Sequence, residues 1–181
     1  MPDEAKLILP AQGYLLSYLE ACREYKLSPS DDGFFHDNDT FMDWKDTIFK
    51  TYENSSLGIG LKKGYVPATT FWLVENSEFI GYGNVRHYLT PPLERFGGHI
   101  GYVIRPSRQG MGYGAKQLAL LLNEAAWLNI DDALITCNDN NIASIRIIEK
   151  NNGRYLDTIK NIIGGKERVT RRYWVKTFKN I

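Results

Sequence analysis

Three glycines at alternate positions, Gly110, Gly112 and Gly114, lie in the segment RPSRQGMGYGAK at 105–116. The apolar-rich segment LALLLNEAAWLNI follows almost at once, and its periodicity predicts a helix. The N–H groups at the start of a helix have no partner within it, and glycines let a ligand approach such groups closely. The segment therefore predicts a site for an anion such as a phosphate group, with close packing of the helix start as the alternative.

Two common phosphate-loop patterns do not fit this segment. A Walker A loop requires GxxxxGK[ST], whereas Gly114-Ala115-Lys116-Gln117 has neither the spacing nor the hydroxyl. A dinucleotide fingerprint requires GxGxxG in an early βαβ unit, whereas these glycines are spaced GxGxG in the second half of the chain. A nucleotide-phosphate-binding domain would therefore rest on the glycines alone.

A third pattern, [QR]xxGx[GA], matches residues 109–114, which follow the strand-like segment VIRPSR and open a helix. Downstream, NIASIRIIEKNNG at 141–153 corresponds to a second motif, NxxAxxxYEKxGF, in its asparagine, small residues, Glu-Lys pair and glycine. With these two motifs in this order, the chain resembles the GNAT superfamily of N-acetyltransferases over about residues 69–160. The later motif also argues against a nucleotide-phosphate-binding domain.

The elements that must position these motifs fit the fold that the resemblance implies. That fold is an α/β domain with a mixed, mostly antiparallel, twisted sheet of about seven strands flanked by about four helices. Hydrophobic periodicity and turn residues predict strands at 6–10, 69–76, 78–89, 99–105, 132–138, 154–163 and 167–178. The same patterns predict helices at 14–25, 41–54, 112–129 and 143–151. We expect one domain over 1–181, with a cofactor-binding core at about 98–153.

Helix ends and loops carry further local signals. Asp39 or Thr40 can cap the second helix, Asn140 or Asn141 can cap the fourth, and Gly153 is the expected stop of the fourth. The segment 28–39 is rich in turn residues and predicts a loop. This loop and the first two helices are expected to shape the pocket of the acetyl acceptor.

The resemblance implies acetyl-coenzyme A as the cofactor, with its diphosphate on the glycine loop and its pantetheine arm between the strands at 99–105 and 132–138. The arm would pair with main-chain groups near Val103, Ile104 and Arg105 as an added strand does. The predicted cofactor-binding residues are Val103, Ile104, Arg105, Arg108, Gln109, Gly110, Met111, Gly112, Tyr113, Gly114, Asn141 and Ser144.

The implied reaction is direct attack of a primary amine, from a small molecule or a peptide, on acetyl-coenzyme A in a ternary complex. An ammonium must lose its proton before it attacks, through a base or a water relay. His99 is the first candidate base because an imidazole titrates near neutral pH, and Glu94 is the second. A local hydrogen bond for His99 and a solvated carboxylate for Glu94 are the alternatives. Asn84 and Arg86 are predicted to line the acceptor pocket.

One position departs from the family pattern. Many members carry a tyrosine on the fourth helix that protonates the departing thiolate, and Ile148 occupies this position here. Tyr113, Tyr102 or water could substitute. The departure keeps a second hypothesis open, that of a non-catalytic acyl-coenzyme A-binding sensor or interaction module with the same fold.

Net charge, cysteine content and the length of apolar runs limit the classes of partner that we expect for this chain. The formal charge is +1, and the basic residues at 166–172 stand among acids, so we expect a solvated face and no nucleic-acid partner. The 2 cysteines, Cys22 and Cys137, lack zinc-ligand spacing, and neither has an evident activating partner, so no metal and no thiol nucleophile are expected. No apolar run approaches the roughly 18 residues that span a bilayer. We expect a cytoplasmic protein without a membrane partner and leave a homodimer open.

Overall fold

The computed structural model describes residues 4–27 and 47–179. Seven strands and four α-helices lie in these ranges. The strands are β1 (Lys6–Ile8), β2 (Ala68–Glu75), β3 (Glu78–Arg86), β4 (Ile100–Ile104), β5 (Asp132–Asn138), β6 (Arg154–Ile163) and β7 (Lys166–Lys176). The helices are α1 (Leu15–Leu27), α2 (Ile48–Leu57), α3 (Tyr113–Trp127) and α4 (Ile142–Lys150). The predicted loop at 28–39, the predicted helix start at 41–46 and its cap, Asp39 or Thr40, lie outside the described residues.

The strands form two antiparallel sheets with the orders β1-β2-β3-β4 and β5-β7-β6. The predicted hairpin of β2 and β3 is present, and its turn residues Asn76 and Ser77 both have positive φ, 48° and 65°. Such a turn matches the right-handed twist of the two strands it joins. The segment between β3 and β4 contains a short π-helical turn, Leu93–Gly97, and no ladder pairing, as its two prolines predict.

The two sheets meet where β4 and β5 begin. The His99 N–H donates to the Leu134 carbonyl over 2.7 Å, and the Leu134 N–H donates to His99 Nδ1 over 2.9 Å. Beyond this point each strand pairs only with its own sheet, β4 with β3 and β5 with β7. The C-terminal parts of β4 and β5 therefore border an open cleft.

Helices cover both faces of the four-stranded sheet. On one face α3 buries the apolar stripe that its periodicity predicts, including Leu118, Leu121 and Leu122, against β3, β4 and β5. On the other face α1 and α2 pack on β2 and β3, where Tyr18 stacks on Trp72 at 4.8 Å between ring centroids. Burying large apolar and aromatic side chains on both faces stabilises the strands that border the cleft.

The ends of α4 correct one prediction. Asn141 caps its start, since its side-chain oxygen accepts the Ser144 N–H over 3.0 Å. At the other end the left-handed residue is Asn152, with φ 60°, and not Gly153. Glycine is needed at 153 for a steric reason, because a Cβ there would lie 2.4 Å from Ile148 Cγ2. The helix thus stops near the predicted place through a different residue.

Candidate active site

The three glycines of the segment 105–116 serve two different purposes. Gly110 and Gly112 have φ of 77° and 90°, in the left-handed region that other residues rarely adopt. Gly114 lies inside α3, where a Cβ would be 2.5 Å from Ile147 Cδ1 of α4. The first two glycines therefore shape the loop, and the third permits the close packing of two helices. Close packing thus accounts for Gly114, whereas ligand approach at Gly110 and Gly112 stays a prediction.

The loop opens a groove that carries the features of an anion site. Within the described residues the N-cap of α3, Gly112, makes no side-chain hydrogen bond, and Gly112 and Gly114 at this helix start line the groove. The groove has a volume of about 490 Å³ and runs along β4, α3 and α4. Its walls include nine predicted cofactor-binding residues, namely Val103, Ile104, Arg108, Gln109, Gly110, Gly112, Gly114, Asn141 and Ser144.

The register of β4 decides which main-chain groups face the cleft. The Arg105 N–H donates to the Ile80 carbonyl of β3 over 2.9 Å. Because alternate residues of an antiparallel strand bond the same neighbour, Val103 also faces β3, whereas Tyr102 and Ile104 face the cleft. The Ile104 carbonyl accepts bonds from Tyr25 Oη at 2.6 Å and Gln109 Nε2 at 3.0 Å.

The Arg105 side chain is held in a salt-bridge cluster away from the groove. It is 5% exposed and pairs with Glu24 and with Glu78, the latter over 2.8 Å. Arg108 also binds Glu78, over 2.6 Å, but it is more exposed and lines the groove. The sequence pattern placed both arginines at the cofactor, and the structure brings only Arg108 to the groove wall.

Two further predicted cofactor residues, Met111 and Tyr113, lie outside the groove lining. The Met111 side chain is 54% exposed. The Tyr113 hydroxyl donates to Glu75 Oε2, and this hydrogen bond is the main cause that raises the pKa of Tyr113. A role for either residue in cofactor binding stays a prediction.

A second cavity, of about 320 Å³, lies between β4 and β5 and shares Tyr102, Asn141 and Ser144 with the groove. The two spaces therefore adjoin within the cleft, and we refer to them together as the passage. The remaining walls of this acceptor cavity, as we name it, are Arg86, Leu93, Phe96, Gly97, Ile100, Gly101, Thr136, Cys137, Asn138, Arg168 and Thr170.

Of the two predicted acceptor-pocket residues, only Arg86 lines the acceptor cavity. Its Nη1 donates to the carbonyls of Gly97 and Gly98 at 3.0 and 2.9 Å. The side-chain oxygen of Asn84 instead accepts the Gly101 N–H over 3.2 Å, so it supports β4. Cys137 is also in the wall, and burial raises the pKa of its thiol to about 11. This pKa agrees with the expectation that Cys137 is not a nucleophile.

The two candidate bases line a different cavity, together with His87, Asp131 and Arg172. His99 Nδ1 already accepts the Leu134 N–H, and burial together with the charge of Arg86 lowers the pKa of His99 to about 4. Glu94 lies on the turn before β4 with an exposed side chain. The geometry thus gives His99 a structural bond, and a catalytic role for either residue stays a prediction.

Ile148, which stands where many family members have a tyrosine, has a buried side chain on α4. Ile148 has no exposed surface and packs in the core beside α3. Of the two tyrosines considered as substitutes, Tyr102 lies at the junction of the groove and the acceptor cavity. Tyr113 points to Glu75 instead.

Sequence reasoning missed Arg168, which it assigned to a solvated face. The structure places Arg168 in the wall of the acceptor cavity, whereas Arg171 and Arg172 pair with Asp139 and Asp157. Nothing in the segment 166–172 distinguishes these arginines, because the two aspartates come from other parts of the chain.

A passage between splayed strands, with a glycine-rich helix start at one mouth, is the arrangement of an acyl-coenzyme A-dependent transferase fold. The model of the family "Acetyltransferase (GNAT) domain" matches residues 25–154. The chain therefore belongs to the GNAT acetyltransferases, and the predicted family and fold class are confirmed.

Solved structures of this fold cover nearly the whole chain at low identity. RimL, the ribosomal L7/L12 α-N-protein acetyltransferase solved with coenzyme A, is 16% identical, with 97% of this chain and 95% of that chain covered and a TM-score of 0.71. MccE, the microcin C7 self-immunity acetyltransferase solved with acetyl-CoA and AMP, is 14% identical, with 97% and 93% covered and a TM-score of 0.71. An N-acetyltransferase from Staphylococcus aureus Mu50 is 17% identical, with 95% and 98% covered and a TM-score of 0.63.

A search of the curated proteins found no match. The predicted cofactor, acetyl-coenzyme A, agrees with the ligands of the solved relatives. Within residues 4–27 and 47–179, no helix has the length and apolar character that crossing a membrane requires. The same ranges contain no cluster of three or more His, Cys, Asp or Glu side chains suited to a metal ion.

Proposed function

We propose that this protein transfers the acetyl group of acetyl-coenzyme A to a primary amine by direct attack in a ternary complex. The amine nitrogen forms a bond to the thioester carbonyl carbon and the carbon–sulfur bond breaks. The products are an N-acetyl amide, coenzyme A and the proton that the ammonium has lost. Acetyl-coenzyme A supplies the activated acyl group, and the chain supplies binding, orientation and proton transfer.

The observation that carries the proposal is that the groove and the acceptor cavity adjoin and share three lining residues. A ligand along the glycine loop and a second ligand in the acceptor cavity would meet beside Tyr102, Asn141 and Ser144. Main-chain groups of Tyr102 and Ile104 face the cleft. An N–H donor there would stabilise the oxygen on which negative charge develops.

The proton of the attacking ammonium leaves, we propose, through water. Among the described residues no carboxylate lines the acceptor cavity, and Glu94 and His99 line the neighbouring cavity. Glu94 is the better final acceptor of the two, because the accepting nitrogen of His99 is occupied by the Leu134 N–H. A relay of this kind needs no direct contact between the amine and a basic side chain.

Tyr102 is the residue we propose to protonate the departing thiolate. Among the described residues it is the tyrosine that lines both the groove and the acceptor cavity. Ile148 cannot donate, and the Tyr113 hydroxyl is bound to Glu75. The missing tyrosine of α4 is thus replaced from β4.

The test is release of coenzyme A and formation of N-acetyl product with a panel of primary amines. We expect sustained turnover with at least one amine, and product mass should rise by one acetyl group. Binding of acetyl-coenzyme A, followed by calorimetry, should occur without any amine. Binding without turnover across the panel would contradict the proposal and favour a sensor; no binding would contradict both.

A further inference from the structure

We propose that the acetyl acceptor is a small amine that also carries an oxyanion group, a carboxylate or a phosphate, bound by Arg86 and Arg168 in the acceptor cavity. The inference rests on the proposed function, because it names the class of acceptor that the same passage would admit. Its evidence is the charge balance of the cavity wall.

Arg86 brings a positive charge into the cavity with no carboxylate to neutralise it. Its partners are the carbonyl oxygens of Gly97 and Gly98, which are neutral. In the part of the chain that the structure describes, no salt bridge reaches Arg86. A charge removed from water is normally paired, so an anion supplied by the ligand would complete this site.

Arg168 is the second such charge. Its neighbours on β7, Arg171 and Arg172, are bound to Asp139 and Asp157 over 2.5 Å each. Arg168 forms no salt bridge with the described residues and lies half-buried in the cavity wall. Among the described residues, Arg168 is therefore the arginine of β7 that has no carboxylate partner, and it lies in the wall of the acceptor cavity.

The remaining wall residues fit the same ligand. They include the neutral hydrogen-bonding side chains of Thr136, Asn138 and Thr170, and no acidic residue of the described chain is among them. A polycationic amine would meet two arginines and, within the described chain, no carboxylate in this cavity wall. An amine with an oxyanion would gain charge-assisted bonds, which a guanidinium makes equally well to carboxylate and phosphate.

The size of the cavity limits the acceptor. A volume of about 320 Å³ is at the low end of the range for small-molecule sites, about 300–1,000 Å³. This space suits an amino acid or a compound of similar size. Leu93, Phe96 and Ile100 line it as well, so an apolar side chain on the acceptor is accommodated.

The experiment compares matched acceptors with the full chain at saturating acetyl-coenzyme A. Each amino acid is paired with its amide and its decarboxylated amine, O-phosphoethanolamine is paired with ethanolamine, and spermidine represents polycations. We expect kcat/KM to be about 10- to 100-fold higher for the oxyanion member of a pair. The amino acid pairs test a carboxylate and the O-phosphoethanolamine pair tests a phosphate, so the pair with the larger difference in kcat/KM shows which oxyanion the site prefers.

The variant Arg168→Gln should raise KM for the oxyanion acceptor by about 10- to 100-fold and leave KM for acetyl-coenzyme A unchanged. Arg168→Gln should also remove the preference for the oxyanion acceptor over its matched acceptor without the oxyanion. Arg168→Lys, which keeps the charge, should restore part of that preference. Lys166→Gln is the matched control, because Lys166 is exposed on the same strand and does not line the cavity.

Three outcomes would overturn the inference. One is turnover with no preference for the oxyanion member of each pair, which leaves the proposed function intact. Another is an effect of Arg168→Gln on KM for acetyl-coenzyme A alone. If no acceptor turns over, N-acetyl amino acids and their amides are titrated into the protein saturated with coenzyme A. Equal binding, or no binding of either, overturns the inference as well.

Discussion

His99 occupies the point where the two sheets join, and its surroundings change the role that its residue type suggests. Both its N–H and its Nδ1 bond Leu134, at 2.7 and 2.9 Å. Burial and the nearby charge of Arg86 lower the pKa of His99 to about 4. A neutral imidazole that already accepts a hydrogen bond is suited to holding strands together, and its proton affinity is low at neutral pH.

The pH dependence of stability tests this role. The folded pKa of about 4 lies below the unfolded value of about 6.5. Between these values the unfolded chain binds a proton that the native protein does not, so the free energy of unfolding falls as the pH falls. His99→Asn retains an acceptor for the Leu134 N–H but does not titrate. Urea unfolding measures how much the free energy of unfolding falls between pH 7 and pH 5. This fall should be smaller for His99→Asn than for the wild type, by on the order of 1 kcal/mol after allowing for the partial exposure of His99.

Two comparisons complete the His99 test. His99→Ala removes the acceptor and should destabilise the protein at all pH values by about 1–3 kcal/mol, because a buried N–H loses its partner. An equal pH dependence of unfolding in wild type and His99→Asn would count against the lowered pKa. If His99→Asn instead abolishes a limb of the pH–rate profile near neutrality, His99 is the base after all.

Tyr102 offers a second test on the residue scale. We expect Tyr102→Phe to lower kcat by about 10-fold, toward the low end of acid catalysis, since a thiolate leaves readily even without a proton. KM for acetyl-coenzyme A should stay within about 2-fold, because the groove wall is otherwise unchanged. Tyr113→Phe is the matched control, since its hydroxyl is bound to Glu75. Equal kcat in the wild type and Tyr102→Phe would assign the proton to water.

On the scale of elements, the glycine loop and the packing of α3 on α4 depend on different glycines. Gly110 and Gly112 give the loop its left-handed residues, and Gly114 lets α4 approach α3. The two helices border the groove, so their spacing sets its width. Substitutions at Gly114 should therefore mainly lower the stability of the protein, whereas substitutions at Gly110 should mainly change the conformation of the loop.

The Gly114 contact predicts a specific rescue. Gly114→Ala places a methyl group 2.5 Å from Ile147 Cδ1 and should destabilise the protein by about 1–3 kcal/mol. Ile147→Val removes the Cδ1 atom, so the double variant should regain much of this loss. Thermal or urea unfolding of the four proteins gives the coupling energy. Strictly additive effects would show that the helices adjust without this contact.

On the scale of the whole molecule, the position of β4 is set at both of its ends. His99 joins its start to β5, and Arg105 joins its far end to α1 and β3 through Glu24 and Glu78. Glu24 also accepts the Ser107 N–H over 3.0 Å, at the approach to the glycine loop. The cleft thus opens between two strands whose separation is fixed by contacts outside the cleft.

Removing the buried cation should test this arrangement. Arg105→Met removes the buried cation that pairs with Glu24 and Glu78, leaves Glu78 with Arg108 alone, and should lower the free energy of unfolding by about 3–5 kcal/mol. Arg108→Met removes a more exposed partner of the same Glu78 and should cost about 0–1 kcal/mol. It should instead raise KM for acetyl-coenzyme A, because Arg108 lines the groove. Equal losses of stability would contradict the difference in burial.

Much of the fold could be predicted from local patterns along the chain. The strands at 99–105 and 132–138, the helix after the glycines and the Asn141 cap all follow from periodicity and capping residues. The glycine loop and the later motif also carried the family assignment, because both depend on short-range backbone chemistry. The extent of the domain, 1–181, stays a prediction.

The tertiary structure decided what the polar side chains do, since partners distant in sequence determine charge and orientation. Arg105 and Arg108 are near neighbours in the chain, yet one is buried among carboxylates and the other faces the groove. In sequence, Arg168 resembles the other arginines of β7. In the structure, two of those arginines pair with Asp139 and Asp157, and Arg168 does not pair with either aspartate. Backbone preferences are local and can be read along the chain, whereas burial and electrostatics arise only when distant elements pack together.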